Sequence, residues 1–509
     1  MPAASTRSGS SRLLYSLVAV WLAGALAVFA FAGIRSFGVG RWAGVLVSGA
    51  VAVCVACLVW YGRFLPLDES AATPALRVVF VLAAALSLVQ LTRLCVFVVN
   101  PAEVGYAVGP HGGLGLPPRH LCMTAYFVAA QAVHSVPDIY KYELYALPPE
   151  TPNALRTPRT LGQFDVDAYE YPPPFLLLPR AVAMARPQFL NFRMLWFALY
   201  GAVVLVGLLA VTRTFEPATA TRALLLTPLV LGAEITTGTL QAENIQAAVV
   251  VWAVLAMLLF RRRNYAAGGA LLAFATVSKL FPGALIVYLA VRREWRALLW
   301  TLGLACVLVG VSFLDTGRAT YSAFAHHLPR LLSGEAFPPL HRAGAVAINL
   351  SVPGFLLKLN LFGLPGGSFT LMKLVGTIYS LILLAAVVVI ARRRPGRDEE
   401  PLIWLAILML GSLRSPFLPQ YGLFPVLWLL ILLAARAAPT LQTLSLTLAA
   451  WVVLNISLPV FNGPDPRWVA AFVLVSQGVM IALLVLALRR RGESYQQSGV
   501  VMQPELSPS

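Results

Sequence analysis

The sequence predicts an all-α, polytopic membrane protein, and three observations lead to this fold class. Apolar runs of about 20 residues, long enough to cross roughly 30 Å of hydrocarbon, recur along most of the chain. Hydrophobic residues make up 59% of the 509 residues, whereas charged residues make up 12%. The arginines gather in short clusters between the apolar runs. Because the bilayer offers no hydrogen bonds, such runs satisfy their own backbone as helices.

The net charge of +17 indicates membrane orientation rather than nucleic-acid binding. The sequence shows no basic stretch interleaved with aromatic residues that would hold a nucleic acid. The basic clusters between apolar runs lie at 261–263, 292–293, 392–394 and 489–491. Such clusters are typical of cytoplasmic loops under the positive-inside rule.

We predict about 14 membrane spans. They lie at 13–34, 43–61, 77–99, 191–212, 222–236, 245–260, 266–280, 282–291, 297–314, 369–391, 402–412, 419–435, 443–461 and 467–488. The first run is too long for a cleaved signal peptide and is expected to be retained. With a cytoplasmic N-terminus, every arginine cluster and the C-terminus also become cytoplasmic. We therefore expect a multi-pass protein of the plasma or inner membrane.

The spans divide the chain into four parts. These are two additional N-terminal spans (1–76), a central unit (77–440), C-terminal spans (441–491) and a disordered tail rich in Ser, Gln and Pro (492–509). The central unit carries two long outer loops, at 100–190 and 315–368, which contain all six histidines. Seven carboxylates lie in the first loop: Glu103, Asp138, Glu143, Glu150, Asp165, Asp167 and Glu170. The working face is therefore expected to be extracytoplasmic.

The first outer loop also carries two structural signals. Residues 124–130 predict a short amphipathic helix, and the prolines at 172–174 predict an extended, polyproline-like segment. A stiff connector explains that segment as well as a binding role does. Tyr169, Tyr171 and Phe175 equally fit an interfacial aromatic belt.

The five cysteines predict neither a disulfide framework nor a metal site, and no cofactor is expected. Cys54 and Cys57 form a CxxC inside an apolar run. Packing within a helix is the simpler interpretation of this pair.

Several motifs, in order, resemble those of glycosyltransferase family 87, a former domain of unknown function. They are Tyr126-Phe-Val-Ala-Ala-Gln-Ala, Asp138-Ile-Tyr140, Tyr171-Pro-Pro-Pro-Phe, Gln241 with Asn244, Ser278-Lys-Leu-Phe-Pro282, Asn349-Leu-Ser-Val-Pro-Gly-Phe355 and Ser415-Pro-Phe-Leu-Pro-Gln-Tyr421. The resemblance covers roughly 77–440. Two positions depart from the family: Cys122 and Met123 stand where it usually carries an aspartate thought to be the catalytic base, and Gln420 where a histidine is common.

The resemblance implies a GT-C enzyme related to polyprenol-phosphate-mannose-dependent α-1,2-mannosyltransferases. The donor would be a polyprenyl-phosphate hexose, foremost mannose, and the acceptor a lipid-linked or cell-envelope glycan. Transfer would be a single inverting displacement on the extracytoplasmic side. The lipid bilayer is the remaining partner, and a nucleotide-sugar site is not expected.

Such a transfer needs a carboxylate to take the acceptor's proton and cations to hold the phosphate. The catalytic candidates are Asp165 and Asp167, then Asp138, and after these Glu170. Solvated loop acids are the simpler interpretation of each one alone. The substrate-binding candidates are Tyr171, Lys279, His326, His327, Arg330, Asn349, Gln420 and Tyr421. Lys279 could instead snorkel to the interface, and the adjacent histidines could be polar loop residues without a role.

Two other functions remain open from the sequence. A transporter or lipid-carrier flippase would also have many spans, but such proteins usually show internal repeats, and none is evident here. A catalytically silent scaffold would explain the missing aspartate. The long acidic and aromatic outer loop favours an enzyme.

Overall fold

The computed structural model describes residues 9–61, 67–107, 119–148, 157–393, 395–456 and 465–489. Several predictions fall outside the described residues. They concern the tail at 492–509, Glu150, and the clustered arginines Arg394, Arg490 and Arg491.

Within the described ranges the chain forms nineteen α-helices. In chain order they are α1 (Gly9–Arg35), α2 (Arg41–Tyr61), α3 (Pro74–Val99), α4 (Met123–Ala132), α5 (Leu177–Ala185), α6 (Phe189–Thr212), α7 (Pro217–Leu231), α8 (Glu234–Ala242), α9 (Gln246–Arg261), α10 (Tyr265–Ser278), α11 (Gly283–Val291), α12 (Trp295–Ser333), α13 (Ala343–Ile348), α14 (Phe355–Leu361), α15 (Phe369–Ala391), α16 (Glu400–Ser412), α17 (Phe424–Arg436), α18 (Leu441–Asn455) and α19 (Pro466–Leu488). Several of these helices begin at a capping residue or a proline that stabilises the first turn. At α3, for example, the Thr73 side chain accepts from the Leu76 amide, and Pro74 occupies the first turn.

Short 3₁₀ segments and one small sheet complete the described structure. The 3₁₀ segments are Glu69–Ala71, Val104–Tyr106, Tyr142–Leu144, Pro173–Leu176, Pro338–His341 and Gln420–Leu423. The strands are β1 (His120–Leu121), β2 (Thr160–Leu161) and β3 (Phe164–Val166). β3 lies in the centre, parallel to β1 and antiparallel to β2.

Seven of these helices, α1, α2, α3, α6, α12, α15 and α19, are long and apolar enough to cross a membrane. The pair α7 and α8, bent by 53°, adds an eighth if it is one broken span. A multi-pass membrane protein is thus indicated, but the count of about 14 spans is not confirmed. Short helices such as α9, α16 and α17 pack against one another and are almost wholly buried. Their apolar side chains therefore pack in the protein core. A helix buried in protein can be shorter than the roughly 20 residues that a membrane span needs.

The structure corrects three local predictions. The expected connection at 238–243 is helical as far as Ala242, and the chain reverses at Glu243 with φ +53°. The span predicted to end at 314 continues as α12 to Ser333, across a bend where Gly317 adopts φ +80°. Of the three prolines, only Pro172 is extended, whereas Pro173 begins a 3₁₀ segment that leads into α5. The fixed backbone angle φ of proline is compatible with the first turn of a helix, so this run of prolines leads into a helix.

A buried ion pair joins the sheet to the helical core. Arg193 of α6 and Glu243 are both fully buried, with Arg193 Nε 3.5 Å from Glu243 Oε1. The guanidinium lies between the rings of Phe97 and Phe164, 4.7 and 4.6 Å from their centroids. It also donates to the Phe97 carbonyl at 3.1 Å. One cation thus connects α3, β3 and the turn after α8.

The described arginine clusters meet at one end of the helices. Arg261 at the end of α9 lies 3.2 Å from Glu400 and donates to the Arg397 carbonyl. Arg292 after α11 donates to the Arg393 carbonyl at 3.0 Å. The opposite end of α9 begins at Gln246, about 24 Å away for a helix of this length.

Candidate active site

A cavity of about 960 Å³ lies where the first outer segment meets the helix ends of the core. Its walls come from β3 and the residues that follow it, the turn at 244–246 and the break between α10 and α11. The end of α12, the segment at 335–348 and the loop at 411–421 contribute as well. Segments that are far apart in the sequence therefore meet around one space.

One wall of the cavity is acidic and is formed by β3. The strand pairs with β1 so that His120 lies opposite Asp165. Because side chains alternate along a strand, Phe164 and Val166 are buried while Asp165 is half-buried. Asp165 and Val166 both line the cavity, and Asp165 is the residue of β3 that brings a charged group to it.

Asp167 and Glu170 follow β3 and add two carboxylates to this wall. The Asp167 amide donates to Thr124 Oγ1 at 3.0 Å, which ties it to α4. Burial raises the pKa of Glu170 well above its ordinary value, the negative charge of Asp167 raises that pKa further, and the charge of Lys279 opposes both effects. A carboxyl with a raised pKa is suited to accept a proton near neutral pH.

His120 and Cys122 lie beside the acidic wall. His120 Nδ1 is 3.7 Å from Asp167 Oδ1, and His120 Nε2 is 3.5 Å from Cys122 Sγ. Burial raises the pKa of the Cys122 thiol; the charge of Asp167 acts in the same direction, while a hydrogen bond from Asn244 lowers it. Nitrogen, sulfur and oxygen donors thus meet at one point of the wall.

Another part of the cavity wall contains Lys279, which follows α10 in an extended conformation. Its ammonium donates to Gln246 Oε1 at 2.9 Å and to Asn244 Oδ1 at 3.2 Å. It also lies 5.3 Å from the ring centroid of Tyr171. Because an ammonium carries three N–H groups, one is left to meet an anion in the cavity.

Asn244 connects the two walls. Its side-chain N–H₂ donates to Tyr421 OH at 3.2 Å, and lies 3.4 Å from Cys122 Sγ and 3.5 Å from Tyr171 OH. The Tyr171 hydroxyl also accepts from Tyr126 OH at 2.7 Å. The amide therefore fixes the positions of three side chains that line the cavity.

Two buried polar atoms of the cavity wall have no hydrogen-bond partner among the described residues. They are Gln246 Nε2 and Ser278 Oγ. Gln246 is 2% exposed and Ser278 is 0% exposed. Since an unpaired buried donor costs about 1–3 kcal/mol, both atoms are suited to bind a ligand.

The rim of the cavity is basic, with Arg330, Arg342 and Arg414 among its residues. Arg414 Nε donates to Ser380 Oγ at 2.7 Å, which orients its guanidinium. Arg330 Nε lies 3.7 Å from Glu335, and both side chains are about half exposed. These cations are suited to contact an anionic group in the cavity.

One side of the cavity is apolar and reaches the outer surface of the helices. Ala284 and Val287 of α11 contribute to it, as do Leu383 and Leu384 of α15. Leu384 is 44% exposed, although it lies within an apolar spanning helix. This side therefore faces the region that lipid would occupy.

The structure brings six of the predicted site residues to the cavity. They are Asp165, Asp167, Tyr171, Lys279, Arg330 and Tyr421. Glu170, ranked last among the carboxylates, lines it as well. Six of the eleven predicted site residues thus line one cavity.

The other predicted residues do not line this cavity. Asp138 accepts from the Tyr140 amide at 2.8 Å, and His327 stacks on the Tyr140 ring at 5.3 Å. His326 Nδ1 lies 2.7 Å from the Ser322 carbonyl. These contacts connect the first outer segment to α12 or remain within that helix.

Asn349 and Gln420 make structural hydrogen bonds. Asn349 donates to the Pro416 carbonyl at 2.8 Å and accepts from the Leu418 amide at 2.9 Å, so it shapes the loop that borders the cavity. Gln420 donates to the Leu454 carbonyl at 2.7 Å, next to α18.

Sequence reasoning did not select several residues that the structure places here. They are His120, Gln246, Ser278, Arg342 and Arg414. The sequence did offer a reason to consider His120. It lies two residues before Cys122, which occupies a position where family 87 usually has an aspartate. The arginines carried no local signal, because only the fold places them at the rim.

Comparison with known protein families gives one match. Residues 169–416 match the model of glycosyltransferase family 87. The resemblance to this family is confirmed. The matched segment begins at Tyr169 and includes Glu170, Asn244 and Lys279, whereas Asp165 and Asp167 lie just before it. Comparisons with curated proteins and with solved structures gave no significant match. The match indicates a glycosyltransferase and does not favour a transporter or flippase.

Proposed function

We propose that this protein transfers a hexose from a polyprenyl-phosphate donor to a lipid-linked or cell-envelope glycan on the extracytoplasmic side of the membrane. Mannose is the proposed sugar, and the architecture is of GT-C type. The observation that carries the proposal is a cavity, largely within the segment matching family 87, that combines carboxylates, cations and an apolar side facing lipid.

The apolar side between α11 and α15 supports a lipid-borne donor. A polyprenyl chain can lie against Val287 and Leu383 while its phosphate enters the cavity. Lys279 provides a positive charge there, and the unpaired Gln246 Nε2 and Ser278 Oγ provide further donors. Charge-assisted hydrogen bonds of this kind are among the stronger contacts to phosphate.

We assign the general base to Glu170. Glu170 lines the same cavity as Lys279, and burial raises the pKa of its carboxyl. The acceptor hydroxyl attacks the anomeric carbon while the bond from that carbon to the phosphate oxygen breaks. The electron pair leaves with the phosphate, and the hydroxyl proton passes to Glu170. A single displacement of this kind inverts the anomeric configuration.

Asp165 and Asp167 remain part of the proposed site with a different role. Both line the acidic wall beside Glu170 and can accept hydrogen bonds from acceptor hydroxyls. No aspartate is available at position 122, where the family usually carries one. Glu170 therefore replaces that base from another segment of the same wall.

The arginine clusters support the proposed orientation. They lie at one end of α9 and α11, whereas the cavity lies at the other. The positive-inside rule assigns the arginine end to the cytoplasm. The cavity then faces outwards, where polyprenyl-phosphate sugars are available and nucleotide sugars are not.

The test uses the full-length protein in lipid nanodiscs with a polyprenyl-phosphate hexose and a membrane glycolipid extract as acceptor. We expect sugar transfer, faster with mannose than with glucose. Glu170→Gln should lower turnover at least about 100-fold, as expected for loss of a general base. Glu103→Gln is the matched control, because this carboxylate lies in the same outer segment but does not line the cavity.

The outcomes separate the proposed function from its alternative. Lys279→Met should raise the KM for the donor more than it lowers kcat, since it removes a contact to the bound phosphate. Absence of transfer from every polyprenyl-phosphate hexose, with movement of the lipid across liposomes instead, would overturn the proposal in favour of a flippase.

A further inference from the structure

His120, Cys122 and Asp167 offer three different ligand atoms at one point of the cavity wall. One nitrogen of His120, Cys122 Sγ and one carboxylate oxygen of Asp167 all lie within 4.8 Å of one another. His120 Nε2 lies 3.5 Å from Cys122 Sγ, and the other ring nitrogen, Nδ1, lies 3.7 Å from Asp167 Oδ1. These groups converge although Asp167 is far from the other two in sequence.

The separations lie within reach of a tetrahedral metal site. Zinc bonds of about 2.3 Å to sulfur and about 2.0–2.2 Å to nitrogen or oxygen place neighbouring ligands about 3.5 Å apart. Only one imidazole nitrogen would bind the ion, and the three ligand atoms, one from each residue, lie within 4.8 Å of one another. Side-chain rotations that shorten the longest separation by about 1 Å would therefore complete the geometry.

We propose that His120, Cys122 and Asp167 bind a divalent cation of the zinc class. Imidazole and thiolate ligands favour Zn²⁺ and similar borderline ions, whereas Mg²⁺ and Ca²⁺ prefer all-oxygen sites. Three protein ligands leave the fourth position open to the cavity. This arrangement is typical of catalytic rather than structural zinc.

The backbone around the three ligands is held in place. β1 and β3 pair next to His120. The Cys122 amide donates to the Ala242 carbonyl at 2.9 Å. The Asp167 amide donates to Thr124 Oγ1 at 3.0 Å. Ligands on a fixed backbone lose less conformational entropy when an ion binds.

The surroundings also suit a bound cation. The Asn244 side-chain N–H₂ lies 3.4 Å from Cys122 Sγ, and such a donor stabilises a metal-bound thiolate and orients it. The Lys279 ammonium also contacts Asn244 and therefore opposes a bound cation. Binding would deprotonate the Cys122 thiol, and the thiolate together with the Asp167 carboxylate would balance a divalent cation.

The site gives a reason for the cysteine at position 122. A thiol there, with His120 and Asp167, forms a cation site beside the base assigned to Glu170. This role rests on the proposed function: the ion would be placed to hold an oxygen of the acceptor next to that base. Cation binding itself does not depend on the transfer reaction.

The test measures Co²⁺ binding to the full-length protein in nanodiscs, purified without a polyhistidine tag and stripped of metal with a chelator. We expect one Co²⁺ per chain and a thiolate-to-cobalt charge-transfer band in the near ultraviolet. Cys122→Ser should abolish the band. Asp167→Asn should weaken binding at least about tenfold, the low end of the effect seen even for residues outside the ligand set.

Matched variants keep the test interpretable. Cys95→Ser removes the other buried cysteine, whose sulfur lies 3.6 Å from the Val28 carbonyl, and should leave the band unchanged. Cys122→Asp keeps a ligand while removing the sulfur, so it should bind Co²⁺ without the band. The proposal is overturned if the native protein binds no Co²⁺ or if the band survives Cys122→Ser.

The two proposals can fail separately. Glu170→Gln should lose transfer but retain the cobalt band, because Glu170 is not a ligand. Stoichiometric Co²⁺ binding without any transfer would support the cation site and contradict the proposed reaction. Transfer by a metal-free protein that binds no Co²⁺ would support the proposed reaction and contradict the cation site.

Discussion

At the residue scale, Glu170 has the most informative environment. It lies between a like charge, Asp167, and an opposite charge, Lys279, while burial removes water from its carboxyl. Burial and the like charge outweigh the cation, so its pKa is raised above the ordinary value of 4.5. The sequence analysis ranked Glu170 behind Asp165, Asp167 and Asp138, because a sequence gives no direct information on how deeply a loop carboxylate is buried.

The raised pKa predicts an acidic limb in the pH–rate profile. Glu170 can accept a proton only when ionised, so transfer should rise with pH through a midpoint clearly above 4.5. In Glu170→Gln the limb should disappear along with most of the rate. A wild-type profile that is flat from pH 4.5 to 8 would remove Glu170 as the base.

The same shift predicts an effect on stability. A raised carboxyl pKa means that the folded state favours the protonated form. Its stabilising contribution is therefore present below pH 4.5 and is lost as the pH rises through the raised value. Glu170→Gln imitates the protonated form and should unfold at a higher temperature than the wild type at pH 8, but not at pH 4. Thermal unfolding in nanodiscs at the two pH values measures this difference.

The Asn244 side chain forms hydrogen bonds with residues of both walls of the cavity. Asn244→Ala removes the contacts to Lys279 and Tyr421, each worth about 1 kcal/mol, so transfer should fall roughly tenfold to thirtyfold. Asn360→Ala is the control, because that exposed amide donates to the Gly367 carbonyl away from the cavity. Equal activity of the two variants would contradict the role given to Asn244.

At the element scale, the ion pair of Arg193 and Glu243 determines how the sheet meets the helices. It joins β3, which carries Asp165, to the turn that carries Asn244. Oxygens of Glu243 lack hydrogen-bond partners among the described residues, so the charge of Arg193 is their main compensation. One buried ion pair thus contributes to holding the elements around the cavity together.

Breaking this pair should destabilise the protein strongly. Arg193→Met leaves a buried carboxylate without its cation, and a loss of about 3–5 kcal/mol in the free energy of unfolding is expected. The double variant Arg193→Met with Glu243→Met removes both charges and should recover much of this loss. Chemical unfolding of the wild type, the single variants Arg193→Met and Glu243→Met, and the double variant gives the coupling energy. A double variant no more stable than the single one would show that the pair is not coupled.

The breaks between helices show where sequence patterns were insufficient. The predicted spans 77–99, 191–212, 369–391 and 467–488 correspond closely to long helices, because about 20 apolar residues are needed to cross a bilayer. Shorter runs such as 402–412 are equally apolar, but α16 is surrounded by protein. Hydropathy cannot distinguish protein from lipid as the partner of an apolar side chain.

At the scale of the whole molecule, the arginine clusters and the cavity lie at opposite ends of the same helices. This arrangement predicts which face an impermeant reagent reaches. In a chain without its native cysteines, Lys141→Cys should be labelled from outside intact cells, whereas Arg262→Cys should be labelled only after permeabilisation. Both side chains are exposed, so accessibility within the protein is matched. The reversed pattern would place the cavity in the cytoplasm.

The sequence by itself determined the membrane class, the long spanning helices and the resemblance to glycosyltransferase family 87, because hydropathy and ordered motifs are local properties of the chain. It also located the acidic segment that forms one wall of the cavity. Only the tertiary structure decided that Glu170 and Lys279 line one cavity, that Asp138 and Asn349 lie outside the cavity lining, and that His120 and Cys122 meet Asp167. Burial, charge coupling and ligand geometry depend on distances between segments far apart in sequence, and these distances exist only once the helices have packed.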